Sequence, residues 1–80
     1  MGFRSFARQF NSISPYPLNR VGLCTWKYNG TQYRIEARSK GFSVSVLYLG
    51  TWNTVSSFCY SSTDRFDIET IVKAYMPTPQ

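Results

Sequence analysis

The sequence contains no histidine. That removes the side chain most often used as a general base near neutral pH, and the commonest zinc ligand. Serines are abundant, yet no Ser-His or Cys-His relay can be assembled from them. Cysteine is scarce, with only Cys24 and Cys59. A small secreted scaffold normally carries more, two thiols cannot close a four-ligand zinc site, and their separation matches no zinc or redox motif. Both read as free, buried thiols on one sheet face. Acidic residues number only four. Three of them, Asp64, Asp67 and Glu69, cluster where a helix is expected to start, which reads as capping and dipole complementarity. There is no glycine-rich phosphate loop. No apolar run approaches the roughly 18 residues of a membrane helix. The start, Met1-Gly2-Phe3-Arg4-Ser5-Phe6, interleaves charge with apolar residues unlike a signal peptide. The expectation is a non-enzymatic protein with no metal and no cofactor, cytoplasmic in a cell or in an infected host, with no membrane partner.

What is present is apolar and aromatic. Hydrophobic residues make up 42% of the 80-residue chain and aromatics 18%, enough to build a core rather than a disordered segment. The length allows one domain, residues 1–80, and a core this small leaves a homodimer open. The formal charge is +5 and unevenly placed. In residues 1–40, Arg4, Arg8, Arg20, Lys27, Arg34, Arg38 and Lys40 stand against Glu36 alone. Residues 41–63 carry no charge at all, and so long an uncharged stretch belongs in an interior or at an interface. The basic half suggests an anionic partner.

Periodicity gives an α+β fold: an N-terminal helix (1–14), a four-stranded antiparallel β-meander (20–60) and a C-terminal helix (62–76) packed on the sheet. Phe3, Phe6, Phe10 and Ile13 recur at helical spacing, and Pro15-Tyr16-Pro17 ends that helix. Asn29-Gly30 is the preferred pair for a two-residue type I′ hairpin. It sets Trp26 opposite Tyr33, Cys24 opposite Ile35 and Gly22 opposite Ala37 on one apolar face. Thr25, Lys27, Arg34, Glu36 and Arg38 take the other. A turn at Lys40-Gly41 would place Phe42 opposite Ser39, Val44 opposite Ala37, Val46 opposite Ile35 and Tyr48 opposite Tyr33. A third turn at Gly50-Thr51 would put Val55, Ser57 and Cys59 on the core face and Thr54, Ser56, Phe58 and Tyr60 on the other. In the last helix Ser62, Thr63 or Asp64 can cap, or Asp67 with Phe66 stapled onto Ile71. Ile68, Ile71, Val72 and Tyr75 form its buried stripe, and Met76–Gln80 reads as a frayed tail.

The second sheet face is where function is expected. It brings Lys27, Arg34 and Arg38 together with Trp52, Phe58 and Tyr60, with Leu47 and Leu49 beside them. Basic side chains hold phosphates, and flat rings stack on unpaired bases. The first expectation is therefore a partner of single-stranded nucleic acid, or of an anionic complex that handles it, and it requires those rings to be exposed. Four strands followed by a helix, with a basic sheet, resembles in element order the Whirly-type single-stranded-DNA-binding architecture, though no motif carries the likeness. The alternative is an inhibitor that acts by direct protein contact. In format the chain is similar to small phage-encoded inhibitors of host machinery, anti-CRISPR proteins among them, and Trp, Tyr and Arg serve protein interfaces equally well. A structural subunit would instead expose Phe3, Phe6 and Phe10. A competing arrangement tucks Leu47, Leu49, Phe58 and Tyr60 beneath the N-terminal helix in three layers.

Overall fold

The computed structural model describes residues 2–77; Met1 and the last three residues of the expected Met76–Gln80 tail, 78–80, lie outside the described residues. The elements are α1 (Phe3–Ile13), β1 (Leu23–Tyr28), β2 (Thr31–Ala37), β3 (Gly41–Tyr48), β4 (Thr51–Cys59), a short 3₁₀ turn (Tyr60–Ser62) and α2 (Arg65–Tyr75). The strands form one antiparallel sheet in sequence order. Helix α1 starts at Gly2 with no side-chain cap and no acid in its first turn. Packing of its apolar stripe therefore holds it. Phe6 and Phe10 are fully buried, with Phe3 and Ile13 packed at the margin. Ser14 ends the helix by donating its hydroxyl to the Tyr16 carbonyl (2.7 Å) and accepting the Tyr16 N–H (3.0 Å).

The first hairpin follows the sequence pattern. Asn29 and Gly30 take φ of 51° and 79°, as a type I′ turn demands, and Trp26 pairs with Tyr33. Their rings stack at 5.6 Å, and the Trp26 indole donates to the Tyr75 carbonyl at 2.8 Å, tying the sheet to α2.

The second hairpin slips by two residues from the expected register. Ala37 pairs with Phe42, Ile35 with Val44 and Tyr33 with Val46. The loop is Ser39-Lys40, closed by Arg38 N–H donating to the Gly41 carbonyl (2.8 Å). Gly41 is not a turn residue because its bare Cα is needed in the strand: a side chain there would collide with the Phe58 carbonyl on β4. A slip of two keeps every side chain on its expected face.

The third hairpin corrects the reading twice. Its turn is Leu49-Gly50, both at positive φ (52° and 77°), with Tyr48 pairing Thr51. A bulge then leaves Val55 unpaired between Thr54, opposite Ser45, and Ser56, opposite Val44. One extra residue reverses the alternation for the rest of β4. Phe58 therefore stacks on Phe42 at 4.9 Å, and Tyr60 is 2% exposed against Phe6, while Val55 and Cys59 face solvent. The reason is energetic. An unbulged strand would bury Ser57 and Cys59 and expose two rings, each worth about 1.5–3 kcal/mol when buried.

Helix α2 begins three residues later than expected. The 3₁₀ turn intervenes, and Asp64 caps in a reciprocal box with Asp67. Phe66 stays exposed and staples nothing. Ile68, Ile71 and Val72 are buried as expected. Met76 is not frayed but 1% exposed, beside the Ser14 hydroxyl. Both helices lie on the face bearing Trp26, Ile35, Phe42 and Val44. The described residues thus form two layers, not three, and among them no helix covers the other sheet face.

The swap of faces separates the thiols. Cys24 is 5% exposed, and burial pushes it from 9.0 up to about 11. Cys59 is exposed, not on the core face, and both are free. A thiol reagent at mildly alkaline pH should modify one cysteine quickly and the other only on unfolding; peptide mapping should find the fast label on Cys59, and equal rates would contradict the bulge. Since Cys24 ionises more readily unfolded, its contribution to stability is full below pH 9.0 and is lost as pH rises toward about 11. Burial raises Tyr60 too, so it acts in the same direction. Thermal midpoints should be level through neutral pH and fall above that threshold.

Candidate interaction face

The uncovered face is built from three cross-strand rows. Leu23, Glu36, Ser43 and Ser57 form the first; Thr25, Arg34, Ser45 and Thr54 the second; Lys27, Gln32, Leu47 and Trp52 the third. Each position follows from the period-two alternation of its strand and, in β4, from the Val55 bulge.

Arg34 organises the centre. Its guanidinium lies 4.4 Å from the centroid of the Trp52 ring, reaching from β2 across β3 to β4. That contact roofs Ser45, which is 3% exposed on a face without a helix, and Ser45 in turn meets the Thr54 hydroxyl at 3.5 Å. Glu36, two residues along β2, binds Arg34 through one carboxylate oxygen (2.6 Å) and Arg38 through the other (2.8 Å). The Arg34 Nε is buried without a hydrogen-bond partner. Arg34 keeps 27% of its side chain exposed and Arg38 keeps 75%. Beyond the first row the face dips into a shallow cleft of about 510 Å³ between Arg38, Lys40, Ser43, Thr54, Ser57 and Cys59.

Of the six residues expected to bind a partner, the structure gathers Lys27, Arg34 and Trp52 on this face and sets Arg38 at its edge. Phe58 and Tyr60 are removed from it. Phe58, half-buried, packs against the core on the opposite face, and Tyr60 is buried with its hydroxyl donating to the Arg38 carbonyl at 2.5 Å, so neither ring stands on this face as a stacking platform. Glu36 is the residue the sequence reading undervalued. Its i, i+2 spacing to both Arg34 and Arg38 on one strand face was the available signal. The remaining basic charge is dispersed: Arg4 and Arg8 are exposed on α1, on the far side of the sheet, and Arg65 pairs with Glu69 at 3.3 Å. Leu49 sits at a hairpin tip, 86% exposed. Among the described residues no helix is long and apolar enough to cross a membrane. Comparison with protein-family models, with curated proteins and with solved structures finds no match to this chain.

Proposed function

We propose that this is a non-enzymatic binding domain whose open sheet face docks onto a protein partner, with Trp52 and Arg34 as anchors. The observation that carries the reading is the guanidinium stacked over the indole at the centre of an uncovered sheet. Tryptophan and arginine are the residue types that most often dominate interface energetics. Here each holds the other, so little side-chain freedom is left to lose on association. Thr25, Ser43 and Ser57 surround the pair with hydroxyls suited to a polar rim. A domain of this kind acts by occupying its partner's surface, which suffices for an inhibitor or an adaptor.

The same geometry weakens the nucleic-acid reading. Single-strand binders line up several rings along a basic groove. This face keeps one, Trp52, and Arg34 already lies over it. Glu36 holds two of the three cations, leaving Lys27 unengaged by it.

Immobilised protein should capture a partner from its native cells that survives nuclease treatment. Capture should be lost when Leu47, beside Trp52, is replaced by arginine, and kept when the exposed Phe66 on α2 is replaced by serine. Nuclease-sensitive capture, together with salt-dependent binding to labelled single-stranded DNA or RNA, would reverse the order of the two readings. Capture indifferent to Leu47→Arg would remove the open face from the function.

A further inference from the structure

The uncharged stretch at 41–63 is explained only in part by the core. Within it β4 lies at the edge of the sheet, and Thr51, Asn53, Thr54, Val55, Ser57 and Cys59 are exposed. An edge strand presents unpaired N–H and C=O groups and is commonly protected by charge, proline, shortness or a covering segment. The two edges of this sheet are treated differently. β1 has six residues and carries Lys27. Its Leu23 donates N–H to the Asn19 side chain (3.0 Å) and accepts the Asn19 N–H on its carbonyl (2.8 Å), so the preceding loop covers its start. β4 has nine residues with no charge and no proline, and its one irregularity is the Val55 bulge.

The phase of the free groups follows from the ladder. Thr51 closes the hairpin opposite Tyr48, so Trp52 and Thr54 turn their backbone groups outward. Beyond the bulge, Tyr60 N–H donates inward to the Lys40 carbonyl, so Ser57 and Cys59 turn theirs outward. Val55, 46% exposed, adds apolar surface between the two segments.

We infer that β4 is a homodimer edge, at which two copies pair their β4 strands antiparallel about a two-fold axis. The charge pattern selects the occupant. A chain of net charge +5 meeting a different, acidic partner would be expected to place cations at the contact. An edge bare of charge instead suits one equally bare, and its own copy provides that. Self-pairing lets two basic molecules meet without opposing like charges. The two-fold stands normal to the sheet, so both open faces look the same way and the Trp52–Arg34 anchor is presented twice. The inference is independent of the partner proposed for that face.

Sedimentation equilibrium should show the wild-type chain passing to a dimer as concentration rises. Val55→Lys and Ser57→Lys, both at exposed positions, should weaken the dimer about tenfold or more while leaving the circular dichroism unchanged. Should the variants fail to fold, the wild-type protein still decides: amide exchange at Thr54, Ser57 and Cys59 should slow as concentration rises. A wild-type monomer up to its solubility limit overturns the inference, as do folded lysine variants that dimerise like wild type, or exchange at those amides that ignores concentration.

Discussion

Phe6→Ala should cost about 3–5 kcal/mol and leave the protein largely unfolded on mild warming. Phe6 is 0% exposed and sits where three elements meet. Its ring stacks on Phe42 at 4.3 Å, tilts against Tyr60 at 5.3 Å and against Phe10 at 5.8 Å. Truncation would remove the transfer energy of a whole ring and leave a cavity bounded by other aromatic groups, which cannot collapse without leaving their rotamers. The total stability of a domain this small lies toward the low end of about 5–15 kcal/mol, so a loss of this size is most of it. Urea titration followed by tryptophan fluorescence reads the effect, since Trp26 is 4% exposed in the folded state. Phe66→Ala, at a ring 72% exposed, is the matched control and should change stability by less than about 0.5 kcal/mol. Comparable losses from the two would mean that α1 does not pack on this sheet face.

Trp52→Ala should separate binding from folding. Trp52 lies half-buried on the uncovered face, against Leu47 across the strand pair and beneath Arg34. Its loss would expose part of Leu47 and Ser45 and release the guanidinium, at a folding cost of about 1 kcal/mol from the cation–π contact and partial burial. In the complex the same truncation would remove an anchor and set Arg34 loose, a loss of about 2–4 kcal/mol in binding. Calorimetric titration of the captured partner against wild type and variant gives the second number, and thermal melts give the first. A variant that folds and binds like wild type would leave the open face without its central residue. Arg34→Lys provides a finer test, since lysine keeps the charge but loses the planar stack and the fork that holds Glu36. It should reproduce part of the Trp52→Ala loss.

Local chemistry alone determined the element order and the first hairpin. The Phe6–Phe10 spacing, the prolines after Ser14, the Asn29-Gly30 pair and the acids around Asp64 each act within a few residues, so each is readable without knowing the rest of the chain. The face carrying Lys27 and Arg34 was legible for the same reason: period-two alternation flanks a turn whose type admits one register. The later features depended on distant residues. Gly41 resembled a turn glycine, but it lies in a strand because the backbone of β4 passes too close for a side chain. The Val55 bulge is invisible in β4 itself, whose alternation of small polar residues is weak; it exists because Phe42 and Phe6 supply the cavity that Phe58 and Tyr60 fill. That single inserted residue turned two expected binding rings to the core side, Tyr60 buried and Phe58 half-buried, and one cysteine away from it. The side on which α1 docks was likewise open in the sequence, since a stripe of phenylalanines specifies that it must be buried but not against which surface. Only the assembled sheet decided that, by offering one face of aromatic and branched residues and another of hydroxyls and charges.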